Sequence, residues 1–172
     1  MRKFFTLLCL FIFVNLFAQG NDVFISVAMP SNSILDNNTK TILKNKLLAI
    51  CTTNGVASSE CGAIAMIPDV SVLDEQLVEG GMRNIHTTEI SISVTVRNII
   101  TNTVFNTLII TSKGEGYSKS EALRSAIKKI NEQKYGDFAL ATKTKISDYY
   151  SIISNKVICH IIITNSTSHI IK

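Results

Sequence analysis

Tryptophan is absent from the 172 residues, and proline occurs only twice. Charged residues are scarce at 17%, against 46% hydrophobic. A chain so poor in charge and rich in apolar side chains buries enough surface to fold, which excludes disorder for most of it. No block of Lys or Arg occurs, although the formal charge is +4. The electrostatic footprint of a nucleic-acid binder is therefore missing. No C-x-x-C pair is present, which removes a thioredoxin-type redox site. The phosphate-binding G-x-x-x-x-G-K-[ST] loop and the G-x-S-x-G nucleophile elbow are missing too. The length fits one ordinary domain.

The N-terminus has the order of an export signal. Arg2 and Lys3 precede a 14-residue apolar run, residues 4–17, interrupted only by Thr6 and Asn15. Ala18-Gln19-Gly20 then turns small and polar. A positive start, a short apolar core and a small residue before the cut define a secretory signal. The run is too short to span a bilayer comfortably. Residues 1–18 are thus expected to be a signal peptide. Leu8 stands before Cys9 where a lipidation signal needs a small residue, so no lipid anchor is expected. Removal leaves 154 residues with a net charge of +2. No second apolar stretch of 18 residues follows, so no transmembrane segment remains after cleavage. The expected location is the periplasm or the outer-membrane periphery, with peripheral membrane association open.

Export places Cys51, Cys61 and Cys159 in an oxidising compartment. Cys51 and Cys61 flank a polar loop and can pair. Cys51 also lies four residues after Leu47, which suits a small core residue on a helix. Both readings stand at this point.

Residues 23–29 read as a near-continuous apolar strand ending at Pro30, covered on both faces. A helix is expected over about 39–53, with Ile42, Leu43, Leu47, Ile50 and Cys51 as its stripe. A second buried strand, 63–67, is expected to stop at Pro68. Residues 69–87 carry Asp69, Asp74, Glu75 and Glu79 around Gly80-Gly81, and read as an irregular excursion. Residues 88–97 alternate strictly between Ile90, Ile92, Val94, Val96 and polar neighbours, the signature of a strand with one packed face. Residues 104–112 are its hairpin partner. Lys113-Gly114-Glu115-Gly116 is expected to break that strand. Ser118 with Glu121 matches a capping box. The helix it opens places Ala122, Leu123, Ala126, Ile127 and Ile130 on one face. Asp137 is expected to cap a third helix with the stripe Phe138, Thr142, Ile146, Tyr149 and Ile153. The fold class is α/β (α+β): a mainly antiparallel sheet flanked by helices, in the order β-α-β-β-β-α-α over residues 19–150.

Residues 151–172 differ in composition. They hold eight Ile and no Asp, Glu, Leu, Ala or Gly. One reading is a tail outside the evolved domain. The other is a genuine last strand over 157–164, although such an uncharged, β-prone run is the aggregation-prone kind.

No constellation carries chemistry on its own. Gly114 and Gly116 follow a strand and precede a helix, as in phosphate cradles. Lys119 occupies the place of the third glycine and Glu115 would repel phosphate, so a tight packing turn is expected. His86 has no ligand-spaced partner. The acidic residues of 69–86 do not follow a calcium loop. No catalytic, cofactor-binding or metal-binding residue is therefore assigned, and no cofactor is expected.

The run Glu89-Ile90-Ser91-Ile92-Ser93-Val94-Thr95-Val96, then Val104-Phe105-Asn106-Thr107, then Gly114-Glu115-Gly116-Tyr117-Ser118-Lys119-Ser120-Glu121-Ala122 with Ala126-Ile127, resembles the periplasmic domains of the curli-assembly CsgG-like group. LpoB-like and TolB N-terminal domains belong to the same group. The overall style is similar to exported proteins of the Bacteroidetes. The resemblance implies an envelope protein that binds other proteins or itself. The expected function is therefore non-enzymatic, through protein–protein contact or self-assembly, with other envelope proteins or itself as partner and no nucleic acid. The alternatives are a small-ligand or cation-binding module using the 69–86 segment, and a hydrolase using His86. The export reading predicts a mature chain that starts at or near Gln19. Intact mass of the protein from its native host checks this, and retention of residues 1–18 would overturn it.

Overall fold

The structure is a computed structural model that describes residues 23–31, 34–59, 62–79 and 83–168, with side chains through 154. Strands β1 (Phe24–Val27), β2 (Ala57–Ser58), β3 (Ile64–Val78), β4 (Ile85–Asn98) and β5 (Val104–Gly116) form one sheet in the order β2-β1-β3-β4-β5. Helix α1 (Asn37–Thr53) connects β1 to β2. Helix α2 (Lys119–Lys128), a 3-10 turn (Glu132–Tyr135) and helix α3 (Gly136–Ser168) follow β5. The expected class and element order hold, with β2 as a two-residue addition. β1 runs parallel to β2 and β3, and the β3-β4-β5 ladder is antiparallel.

The period-two pattern sets the core. Ile90, Ile92, Val94 and Val96 of β4 have no exposed surface and face the helices. α1 buries Leu43, Leu47, Ile50 and Cys51 against them, and α2 adds Ala122, Ala126 and Ile127. α3 contributes Ala139, Thr142 and Ile146. The expected stripes are recovered in part: Ile42, Leu123, Phe138 and Tyr149 are only partly covered, and Ile153 is exposed. In β1, Ile25, Ser26 and Val27 are buried while Phe24 is 53% exposed, so both-face coverage applies to three residues only.

Several boundaries differ from expectation, each for a physical reason. Pro68 does not stop the second strand, which continues to Val78 opposite Val94 through Ile85. The carbonyl of Met66 accepts from Ala28 N–H at 2.9 Å, so Met66 points its polar backbone toward β1. Strand alternation gives Pro68 the same direction. β1 has ended there, so the missing N–H removes no ladder bond, the setting in which sheets accept proline. Residues 69–78 and 85–87 are consequently strand rather than an irregular excursion. The ladder absorbs one bulge between Val72 and Asp74.

Lys113 through Gly116 likewise remain in β5, with Gly114 opposite Thr88 and Gly116 opposite His86. A Cβ at Gly114 would land on the Ala122 carbonyl and the Ala126 amide. These glycines let α2 lie backbone-close on β5, which agrees with the packing reading of the motif. Ser118 Oγ accepts from Glu121 N–H at 3.2 Å, while Glu121 accepts from Tyr117 N–H at 2.9 Å, one residue earlier than a strict capping box. α1 starts two residues before expectation because Asp36 caps it, accepting from Thr39 N–H at 2.8 Å. Asp137 caps nothing: Asn131 opens the 3-10 turn, accepting from Gln133 N–H at 3.1 Å, and the turn runs directly into α3. The backbone of α3 stays helical across residues 157–164, so no last strand forms there.

Cys51 is a free, fully buried thiol whose Sγ lies 3.8 Å from Met66 Sδ. Cys61, with which it could pair, lies outside the described residues. Two substitutions test the packing of α2. Ala126→Asp buries an unpaired carboxylate and is expected to cost several kcal/mol, enough to unfold a domain of ordinary stability. Gly114→Ala forces α2 off β5 and is expected to cost about 1–3 kcal/mol. Lys129→Asp, on the wet face, should stay within about 0.5 kcal/mol. Urea unfolding of the three variants is the measurement.

Candidate functional site

β3 outruns β1, its outer neighbour, while β5 accompanies β4 as far as Gly116 opposite His86. β1 pairs with β3 only at Ala65 and Met66, so from Ile67 onward the outer edge of β3 has no strand beside it among the described residues. The outer half of β3, edging the β3-β4-β5 ladder, forms an exposed arm. All of Ser71–Val78 is exposed, including Leu73 at 56% and Leu77 at 51%.

Where the arm leaves the body, its inner face meets the N-termini of α1 and α2. The corner encloses a cleft of about 390 Å³, lined on its apolar side by Ile34, Val72 and Leu123. Asp36, Glu75, Thr88, Lys119 and Ser120 supply its polar side. Asp36 is held there by its capping role: Thr39 Oγ1–H donates to it at 3.0 Å, Ser120 Oγ–H donates at 3.2 Å, and Arg124 approaches at 3.7 Å. The Thr39 amide, assisted by these hydroxyls and Arg124, holds the Asp36 carboxyl below the usual carboxylate range. Glu75 is paired with Lys119 at 2.6 Å. Thr88 is 1% exposed, and its hydroxyl finds no hydrogen-bond partner. A buried hydroxyl without a partner is uncommon and marks a place where a polar group is wanted.

A second, larger cavity of about 620 Å³ lies between α3 and the starts of β1 and β3. Phe24, Ile64, Ile146 and Tyr150 form its apolar wall and Ser147 and Ser151 face it, with no charged side chain among the described lining.

The residues weighed from sequence do not converge. His86 sits on β4 between Leu77 and Gly116 and lines a smaller recess of about 190 Å³ with Glu75 and Lys119. No described side chain bonds its imidazole, so no nucleophile–base pair forms around it. Asp69 faces Ser93 on the open side of the sheet. Asp74 accepts from Gln76 Nε2 at 2.8 Å, and Glu75 turns to the covered side. At about 3.3 Å per residue, Asp69 and Glu75 stand roughly 20 Å apart. Among the described residues no three His, Cys, Asp or Glu groups could hold a metal ion. Glu79 follows the end of β3.

Sequence reasoning missed the cleft formed by Asp36, Thr88, Lys119 and Ser120. One signal was present: Thr88 and His86 continue the phase of Ile90, Ile92, Val94 and Val96, which places both on the covered face. Asp36 three residues before Thr39 was a second, as a helix-capping pattern.

No family model and no curated protein sequence matches the chain. Its fold is similar to several solved structures. A minor lipoprotein from Acinetobacter baumannii aligns at 16% identity and a TM-score of 0.40, over 75% of this chain and 95% of that one. A lipoprotein candidate from Caulobacter crescentus aligns at 11% identity and 0.35, over 77% and 91%. A candidate neuraminyllactose-binding hemagglutinin homolog from Helicobacter pylori aligns at 11% and 0.34, over 80% and 92%. None of these scores carries a functional assignment to this chain. Among the described residues no helix is long and apolar enough to cross a membrane.

Burial pushes the Cys51 thiol up to about 11. The reactive form of a cysteine is the thiolate. Cys51 is therefore expected to resist iodoacetamide at pH 8 in the folded protein and to react once urea unfolds it. Peptide mass mapping of the alkylated protein reads this, and rapid native labelling of Cys51 would contradict its buried position.

Proposed function

We propose that this chain is a non-enzymatic exported envelope protein that acts through protein–protein contact or self-assembly, in the periplasm or at the outer-membrane periphery. The observation that carries the reading is the arm. A soluble surface seldom exposes several apolar side chains together with an unpaired strand edge unless something covers them. Leu73, Leu77, Val78 and Ile85 are all exposed along the same two strands. The expected export signal over residues 1–18 and the resemblance to CsgG-like envelope domains support the same reading. Residues 19–150 are proposed as the working domain, with 151–172 as a tail outside it. The hydrolase alternative gains no support from His86, to which no hydroxyl or carboxylate is bonded among the described residues. The cation-binding alternative gains none from acidic residues strung along an extended strand.

Site-specific photo-cross-linking in the native host tests the arm. A photoreactive residue at Leu73 or Leu77 is expected to trap a protein adduct, either a second protein or a second copy of this chain. The same probe at Lys129 is expected to trap none. Absence of adducts from both arm positions would overturn the reading.

A further inference from the structure

The arm has a charge opposite to that of the chain. The segment from Asp69 to Glu89 carries Asp69, Asp74, Glu75, Glu79 and Glu89 against Arg83 alone, a net charge of −4 in a protein of +4. The edge direction fixed at Met66 passes by alternation to Val70 and Val72. Beyond the bulge, the pairing of Glu75 with Thr88 and of Leu77 with His86 carries it to those residues. Val70, Val72, Glu75 and Leu77 therefore turn their amides and carbonyls to the edge that no strand covers among the described residues. Val72 and Glu75 also line the cleft beside that edge.

We propose that the free edge of β3 takes an extended basic segment of a partner protein as an added strand, with one Lys or Arg of that strand entering the Asp36–Glu75 cleft. The proposal rests on the contact reading above and names the chemistry of the contact. Strand addition draws affinity from main-chain hydrogen bonds and specificity from pockets for alternate side chains. Here the pocket sits on the same face as the side chains of Val72 and Glu75. Its wall of Ile34, Val72 and Leu123 suits the aliphatic stem of a long basic side chain. Asp36, kept ionised by its capping bonds and approached by Arg124 at 3.7 Å, and Glu75, paired with Lys119, lie at its polar end. The unpartnered Thr88 hydroxyl adds an acceptor for an ammonium or guanidinium donor. Lys119 now satisfies Glu75, but the pair is solvent-exposed, and such pairs exchange at little cost.

The same features discriminate against other strands. A second copy of this edge would set acidic residues against acidic residues. Pro68 withholds a donor at the root and the bulge at Val72/Asp74 divides the edge, so any added strand finds its donors from Val70 onward in two short runs, and charge alone selects which strand is taken. A basic strand meets opposite charge where a like edge meets repulsion, which is how specificity is set by rejection as well as attraction.

Fluorescence anisotropy of the purified protein with three synthetic peptides tests the proposal. The first is a ten-residue peptide alternating Arg with Val and Thr, the second replaces each Arg by Glu, and the third is the basic peptide with alternate backbone amides N-methylated. The basic peptide is expected to bind at least tenfold more tightly than the other two, and more weakly as salt is raised. Glu75→Arg is expected to lower its affinity at least tenfold, and Lys119→Ala to raise it two- to threefold by freeing Glu75. Val72→Pro, at an amide that serves no ladder bond, is expected to abolish binding at unchanged melting temperature. If that variant fails to fold, the N-methylated peptide carries the same test in the unaltered protein. Equal binding of the acidic or N-methylated peptide would overturn the proposal, as would indifference to Glu75→Arg. Arm cross-links in the envelope together with any of those results would leave the contact reading standing and remove the basic strand.

Discussion

Everything in this fold hangs on β4. It is hydrogen-bonded to β3 on one side and β5 on the other along nearly its whole length. Its inward side chains from Thr88 to Val96 are shut off from water, and all three helices pack on the layer it anchors. The four aliphatic side chains among them, Ile90, Ile92, Val94 and Val96, contribute on the order of 10 kcal/mol of gross apolar stabilisation, comparable in size to a small domain's whole net stability. The outward side chains of the same strand, Glu89, Ser91, Ser93, Thr95 and Arg97, remain half-exposed. One strand thus fixes which side of the sheet is body and which is surface.

The second constraint is how closely α2 approaches that layer. Gly114 and Gly116 let helix backbone sit against strand backbone, and Ser112 Oγ–H donates to the Ala126 carbonyl at 2.7 Å in the same contact. The approach brings the first turn of α2 beside the first turn of α1. Asp36 then serves two helices at once, as cap of α1 and acceptor for Ser120. The corner cleft follows from this meeting. A longer distance between α2 and β5 would separate Ser120 from Asp36 and open the corner.

Much of this was legible in the sequence. The alternation of residues 88–97, the stripe of Leu43, Leu47, Ile50 and Cys51, and the Ser118 cap are local patterns, and local patterns survive folding. Proline and glycine misled because their usual meaning is local while their role here is not. Pro68 reads as a stop until one knows that β1 ends beside it, which is a fact about a strand forty residues away. Gly114 and Gly116 read as a loop until the helix that needs their missing side chains is in place. The cleft was harder to read for the same reason: the phase of Thr88 and the capping position of Asp36 are local signals, but Asp36, Thr88 and Lys119 come from three separate parts of the chain and nothing local says that they meet. Asp137 likewise had the right chemistry at a place where the preceding turn had already begun the helix.

The unequal lengths of the strands have a dynamic consequence. Near Met66 the β3–β4 ladder is flanked by β1 and covered by helices, whereas near Val78 it is flanked by water on its outer side. Opening free energy tracks the apolar surface and neighbouring structure that must be disrupted. A single pair of strands therefore spans a gradient, with amides that open only on global unfolding at one end and amides that open by local fraying at the other. Fraying is therefore expected to begin at the outer end of β3, while β4 stays paired with β5 and the body stays intact.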